Sequence, residues 1–375
     1  MSKCNLIRNQ LFLESNGDST YCCESVPPGT PDRKSFKITD WDIKRKHDLE
    51  QYEKSTKGWL VECGVCKHHE QLRGWSMRTR NLDERYNTDN LRKAVIKTSN
   101  HCNLACRMCG PELSTLWQKV VRDNYDSEFS ADPSQYRLEE STPEEVEALK
   151  QKVFTKDFEH LIFSGGESLL SKQNYQIMEY LIHSGLSKNI EVHITTNGTV
   201  KIKDVWLEAV KKFKSYTMEF SIDGVENIYE YIRPGGSWSK LVDTINYTKE
   251  VAPSAEYRFN YVAQALNAHA MNSEKQKLID LFLGVNHIQD SFNDCISILQ
   301  ESPEDSYRIL TPELINKYGI ANYAKGFKYS EDSFRRFMRK QRWLDKAHGK
   351  SLKDINPDFF NTKYYPQEAI NEYNA

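Results

Sequence analysis

The chain has 375 residues, 38% of them hydrophobic and 28% charged, a balance that suits a folded core and excludes a disordered polyelectrolyte. Its 51 basic and 53 acidic side chains leave a formal net charge of −2, so general nucleic-acid binding and attraction to an anionic membrane are not expected. No apolar run approaches the roughly 20 residues of a membrane helix. The opening MSKCNLIRNQLFLESNGDS lacks the apolar stretch of a secretory signal, and a cytoplasmic location is expected.

Residues 1–88 show little periodicity: Gly17, the turn-rich SVPPGTPDRK at 25–34 and a charged stretch at 42–58 interrupt it. From about residue 91 strands and helices alternate. Strands are expected at 92–99, 160–166, 190–198, 216–224 and 256–264, with a sixth near 285–292. Helices are expected at 171–185, 203–213, 237–251 and 273–284. One strand plus one helix in each 30 residues or so implies an α/β fold with a parallel sheet. An acidic insertion occupies 125–157, and 300–375 reads as charged helices and a tail. Functional groups in such folds collect at the carboxyl ends of strands, and each unusual loop here follows one: the cysteine loop at 101–110, then SGGE, TTNG and SIDG.

Nine cysteines cannot all pair within one chain, and their clustering at fixed spacing is what metal ligation requires. HCNLACRMCG gives Cys102-x3-Cys106-x2-Cys109. Three thiolates hold three corners of a 4Fe–4S cube and leave one iron open, an arrangement of no use to simple electron transfer but suited to binding a ligand. A zinc site and ordinary packing cysteines are the competing readings. The spacing resembles that of the radical S-adenosylmethionine (radical SAM) enzymes. That resemblance implies a partial (β/α)6 TIM-like barrel over 89–293, in which S-adenosyl-L-methionine chelates the open iron. One electron then splits its sulfonium bond, giving methionine and a 5′-deoxyadenosyl radical that takes a hydrogen atom from substrate. An electron donor such as flavodoxin or ferredoxin is implied.

The other loops extend the resemblance. Gly165, Gly166 and Glu167 are similar to the family's GGE motif, which holds the methionine amino group. Thr195, Thr196, Asn197, Ser221 and Asp223 stand at strand ends where the family binds the ribose and methionine carboxylate, and each also suits a turn. Arg233 offers a carboxylate partner or a surface salt bridge. Gln264 and Asn267 face the adenine side in this reading. Met108 stands where relatives often carry an aromatic residue, and packs beside adenine.

Cys4-x12-Gly17-x4-Cys22, followed by Cys63-x2-Cys66, resembles the framework of twitch and SPASM auxiliary domains. The resemblance implies an amino-terminal twitch-like domain over 1–88 holding a second, auxiliary 4Fe–4S cluster on Cys4, Cys22, Cys63 and Cys66, with Cys23 an alternate. Such domains usually follow the barrel; here it precedes. A zinc site is the rival, with His68 and His69 nearby but read as surface residues. Residues 294–375 are then a carboxyl-terminal helical extension. The expected function is radical SAM oxidation or cross-linking of a peptide or small-molecule substrate. Rearrangement or cyclisation of a nucleotide is the alternative, with Arg73, Arg78 and Arg80 as phosphate contacts. A non-catalytic zinc- and nucleotide-binding regulator is the alternative of another class. Cys295 is read as a buried thiol or a hydrogen donor to a product radical.

Overall fold

The computed structural model describes residues 4–22, 36–54, 63–74, 76–80, 90–284, 286–287, 296–298 and 306–375. In chain order the elements are α1 (Leu6–Asn9), β1 (Gln10–Leu13), β2 (Asp18–Thr20), β3 (Phe36–Lys37), α2 (Trp41–Lys54), α3 (Gly64–Arg73), α4 (Met77–Arg80) and β4 (Lys93–Ile96). Next come α5 (Thr115–Asp123), α6 (Pro143–Ala148), β5 (His160–Phe163), α7 (Lys172–His183), β6 (Glu191–Thr196), α8 (Val205–Lys212) and β7 (Ser215–Ser221). The remainder is α9 (Glu226–Ile232), α10 (Trp238–Val251), β8 (Glu256–Ala263), α11 (Met271–Asp280), β9 (Asn286–His287), β10 (Ile296–Ile298), α12 (Pro312–Tyr318), α13 (Glu331–His348), α14 (Leu352–Ile355) and α15 (Gln367–Asn371).

Two compact units form, each from several chain segments. The first draws on Met1–His101, Leu138–Thr195 and Ile202–Thr217. Its sheet has the order β3-β2-β1-β4-β5-β6. Parallel pairing sets Leu11 against Ala94, Ala94 against Leu161 and Leu161 against Val192. Inward residues alternate along β4, β5 and β6, so Leu161, Phe163 and Ile194 are fully buried. Each such side chain contributes about 1.5–3 kcal/mol on leaving water. Helix α7 starts on Ser171, whose hydroxyl accepts from the Asn174 amide, and buries Ile177, Met178 and Leu181.

The second unit draws on Cys102–Arg137, Thr196–Lys201 and Met218–Ala375. Strand β8 alternates buried and half-buried residues over its eight positions, and β9 and β10 pair with it in parallel. Helices α12–α15 bury an aromatic cluster in which Phe334 and Tyr365 stack with centroids 3.7 Å apart. Helix α13 supplies its inner face from Phe334, Phe337, Met338, Gln341 and Leu344, the 3–4 spacing of an amphipathic helix.

The α/β class is therefore formed as expected. The βα series β4, β5, β6, β7, β8 and β10 follows the chain, and the carboxyl-terminal part is helical. The strand expected at 285–292 is described only at Asn286–His287, the rest lying outside the described residues. One departure concerns residues 1–88, where β1 joins the parallel sheet beside β4. All four β1 residues are buried, so the strand lacks the alternation that would announce it. Among the described residues no helix is long and apolar enough to cross a membrane.

Candidate metal and cofactor centre

In the first unit, the SGGE loop after β5 lies against the chain leaving β4. The amide of Gly166 donates to the Ser99 carbonyl at 3.1 Å, and that of Glu167 to the His101 carbonyl at 2.8 Å. Glycine is required at both positions. Gly165 has φ +112°, and a Cβ on Gly166 would lie 2.4 Å from the His101 carbonyl oxygen. Glu167 is buried, and its Oε1 accepts the Leu169 amide at 3.0 Å. Beneath it, the Thr98 hydroxyl is 2.6 Å from both Ser171 Oγ and Asn174 Oδ1. Thr195 is half-buried at the end of β6.

In the second unit, the cysteine loop has a firm frame. Thr115 Oγ1 donates to the Cys102 carbonyl at 3.0 Å, and the indole of Trp117 donates to the Cys106 carbonyl at 2.7 Å. The Cys109 amide closes a turn on Cys106 at 2.8 Å. Cys102 and Cys106 are buried beside Leu104, with half-buried Met108 packed against them, while Cys109 is exposed. Asn197 Nδ2 points at Cys102 Sγ (3.7 Å), and Arg233 Nη1 at Cys106 Sγ (3.5 Å). Donors aimed at sulfur favour thiolate, the form that ligates metal. Cys106 and Cys109 are hydrogen-bonded to one another. That hydrogen bond, together with burial, raises the Cys106 thiol well above its ordinary range, and the same bond lowers Cys109.

Thr196 Oγ1 accepts the Gly198 amide at 3.1 Å, a turn role, and Ser221 is half-buried at the end of β7. Asp223 is fully buried. It accepts the Val262 amide at 2.8 Å and pairs with Arg233 at 2.6 Å. Burial raises its carboxyl above the usual range despite the arginine. Burial opposes the charge on Arg233, yet Asp223, Cys106, Tyr229 and Cys109 together outweigh it and its proton affinity rises. Asn267 spends its amide on the Asp223 and Val262 carbonyls, at 3.0 and 2.8 Å. Gln264 differs. It is fully buried, and neither its Nε2 nor its Oε1 has a hydrogen-bond partner among the described residues. An unsatisfied buried polar group costs about 1–3 kcal/mol, so the amide marks a position where a polar ligand would be stabilised.

The amino-terminal cysteines lie in the first unit. Cys63 caps α3 and Cys66 lies in its first turn. Cys4 and Cys66 are buried, Cys22 and Cys63 half-buried. The Cys4 amide donates to Tyr52 Oη at 2.5 Å. Burial raises the Cys4 thiol, which also feels Cys66 and Arg78, while Tyr52 feels Cys4 and Cys63. Among the described residues no three Cys, His, Asp or Glu side chains already converge as a metal-binding group, here or at the core loop. Cys23 and Cys295 lie outside the described residues, as do the side chains of His69, Arg73 and Arg80. His68 is exposed. Arg78 is buried and pairs with Glu70, with Nε 2.9 Å from Oε1, so its charge is already engaged.

Sequence reading passed over Arg107, one of the two spacers between Cys106 and Cys109. Its guanidinium is completely buried. It donates to the Tyr231 carbonyl at 2.8 Å, to Gln341 Oε1 at 2.6 Å and to Asp345 Oδ1 at 2.5 Å, and it lies 3.7 Å from the Tyr231 ring centroid. A charge between two cysteines ordinarily signals solvent; here Gln341 and Asp345, its side-chain partners, lie over 230 positions later in the chain.

The donor set suits an iron–sulfur cluster at the core loop: three thiols on one framed turn, two receiving N–H groups, with a buried arginine–carboxylate pair beside them. Comparisons with known proteins bear on the same segment. No curated protein matches by sequence. Among solved structures, native anSMEcpe with bound AdoMet and Kp18Cys peptide is 17% identical, with 68% of this chain and 61% of that one covered and a TM-score of 0.39. Streptococcus suis SuiB bound to precursor peptide SuiA is 15% identical, with 88% and 66% covered and a TM-score of 0.37. TYW1 with a lysine-pyruvate adduct is 12% identical, with 65% and 70% covered and a TM-score of 0.29. The chain spans about three fifths of the length of the anSMEcpe structures it matches. Residues 96–258, which carry the cysteine, SGGE, TTNG and SIDG loops and Arg233, match the family model of the Radical SAM superfamily.

Proposed function

We propose that this protein is a radical SAM enzyme acting on a peptide or small-molecule substrate. The observation that carries it is the trio Cys102, Cys106 and Cys109 on a framed loop directly after β4, within the matched segment, with Asn197 and Arg233 aimed at two of the sulfurs. Bound there, a 4Fe–4S cluster and S-adenosyl-L-methionine would supply reductive cleavage of the sulfonium bond and removal of a hydrogen atom from substrate. The chain's own residues bind and orient. Glu167 offers a buried carboxylate to the methionine ammonium, and Gly165 and Gly166 let backbone approach closely. Gln264 offers both a donor and an acceptor to the adenine edge, and Met108 offers its apolar side. Arg233 neutralises Asp223 and donates to Cys106, opposing the burial that raises that thiol.

Cys4, Cys22, Cys63 and Cys66 form, in this reading, a twitch-like auxiliary cluster site within residues 1–88. The support is the electrostatic contact of Cys4 with Cys66 and the placing of Cys63 and Cys66 at the start of α3, where the helix dipole favours thiolate. The nucleotide alternative loses support from Arg78, which Glu70 already holds. The deciding experiment is anaerobic reconstitution with iron and sulfide. An EPR spectrum altered by S-adenosylmethionine, with reductant-dependent release of 5′-deoxyadenosine, is expected. Zinc without iron would instead establish the regulator reading.

A further inference from the structure

Two faces of helix α13 bear on the cysteine loop, and all the residues concerned belong to the second unit. On the outer face Arg336, Lys340 and Trp343 line a groove of about 520 Å³ that Cys109 also lines. On the inner face Gln341 Oε1 and Asp345 Oδ1 receive the two terminal nitrogens of the Arg107 guanidinium, at 2.6 and 2.5 Å. Arg107 Nε donates to the Tyr231 carbonyl at 2.8 Å, and the guanidinium lies over the Tyr231 ring, 3.7 Å from its centroid. Asp345 Oδ2 also accepts the Tyr231 hydroxyl at 3.3 Å, so one carboxylate grips both residues.

The end of α9 that Arg107 holds is the seat of Arg233. The Arg107 amide donates to the Ile232 carbonyl at 2.8 Å and the Ala105 amide to the Pro234 carbonyl at 2.9 Å, so the loop is stitched to the residues on either side of Arg233. Between those two bonds Arg233 leaves helical geometry, with φ −118° and ψ 69°. Its Nη1 then points at Cys106 Sγ at 3.5 Å, while Nη2 is held by Asp223 at 2.6 Å. Gln341, Arg107, Tyr231 and Arg233 are all buried. A connected path of polar contacts thus runs from α13 through Arg107 to the donor aimed at the Cys106 sulfur.

We infer that Arg107 and Gln341 are positioning residues for the core metal centre: they keep the Arg233 N–H on the Cys106 sulfur and so raise the reduction potential of a cluster held by Cys102, Cys106 and Cys109. The assignment rests on the radical SAM reading above and adds a role for α13, a helix outside the segment that matches the family model. Reduction makes a cluster more negative, so an N–H directed at a ligating sulfur stabilises the reduced state more than the oxidised one. The guanidinium is a planar fork with fixed donor directions. Loss of one acceptor therefore turns it, and the backbone around Arg233 that it holds moves with it.

The test uses reconstituted holoenzyme and follows, by redox titration, the EPR signal that S-adenosylmethionine alters, which singles out the core cluster. Two substitutions leave the net charge unchanged. Gln341→Met keeps the volume and removes one acceptor, and Arg107→Lys keeps the cation and removes the fork. Each should make the cluster about 10-fold harder to reduce, a fall of about 59 mV for one electron. Tyr373→Phe is the control. It removes a bond to Asp345 Oδ2, the oxygen that Arg107 does not use, and should lower the melting temperature without moving the potential. A purely structural role would not separate the two readouts in this way. If Arg107→Lys fails to fold, Gln341→Met decides alone. An unchanged or raised potential in either folded variant, or a Tyr373→Phe shift as large as theirs, overturns the positioning role. A parent with no S-adenosylmethionine-responsive signal overturns the radical SAM reading, and the positioning with it.

Discussion

The ion pair between Arg107 and Asp345 links the cysteine loop to the last long helix, and breaking it has a calculable effect. Both groups are buried, the guanidinium entirely, with nitrogen and oxygen 2.5 Å apart. Asp345→Asn keeps the shape and an acceptor for the Leu352 amide and the Tyr373 hydroxyl, but strands the arginine's charge in a dry interior. Leaving one partner of a buried pair uncompensated costs about 3–5 kcal/mol. At about 2–4 °C per kcal/mol for a domain of this size, the melting temperature should fall by roughly 6–20 °C. Arg107→Met removes the cation and leaves the Gln341 and Tyr231 acceptors unfilled, with a similar loss. The double variant replaces both charges at once, so its loss should be smaller than the sum of the singles by about 2 kcal/mol or more. Urea unfolding followed by tryptophan fluorescence supplies the cycle. Chelator removal of iron should also quicken in Asp345→Asn, because the arginine holds the turn between Cys106 and Cys109. Single losses that add to within about 0.5 kcal/mol of the double, or an Asp345→Asn protein as stable as its parent, would refute the coupling.

Other outcomes follow from single sites. Cys106→Ala should abolish 5′-deoxyadenosine formation while the metal on the amino-terminal cysteines stays; retained cleavage would remove the core assignment. Cys63→Ala should lower the iron content by about half, and an unchanged iron assay counts against an auxiliary cluster. Glu167→Ala should weaken S-adenosylmethionine binding, read by equilibrium dialysis, with iron content preserved. Burial raises Glu274 to about 7, from an ordinary value of 4.5. Its folded state therefore holds a proton that the unfolded chain has lost, and stability that is full below pH 4.5 declines as pH rises through 7. Glu274→Gln, which keeps an acceptor for the Val225 amide, should be about 2–4 kcal/mol more stable than the parent at pH 8 and no different near pH 4, by thermal unfolding.

The βα series was legible because its signals are local. Alternation in β5, β6 and β8, and a serine cap on α7, show in a few neighbouring residues, and the strand ends carrying SGGE and TTNG follow from them. The glycines were legible too, since Gly166 stands where a carbonyl leaves no room for a side chain. Strand β1 was hidden because burial of all four residues erases its period. Arg107 was hidden for another reason: its meaning lies in Gln341 and Asp345, and no local pattern connects a loop to a helix that distant in the chain. Asp223 was read as a ligand contact and Arg233 as a carboxylate partner or a surface salt bridge; the two pair with one another. That pairing needs β7 and the end of α9 to meet, which spacing alone does not encode.

Helix α13 joins these observations into one constraint. Its inner face presents Gln341 and Asp345 to Arg107, while Arg336, Lys340 and Trp343 on the same helix line the groove that holds Cys109. Residues three and four apart share a helix face, whereas those separated by two or five point in different directions, so both roles fit on one helix without competing for positions. The two roles are consequently separable by mutation. Charge reversal at Arg336 and Lys340 removes the Arg336 contacts with the Glu128 carbonyl and the Phe129 ring and leaves the Arg107–Asp345 pair in place. Loss of Asp345 strands Arg107 between Cys106 and Cys109 and loosens the cysteine turn. A variant pair that failed to divide in this way, with the outer substitutions destabilising the protein as much as the inner one, would mean that the two faces of the helix are not independent.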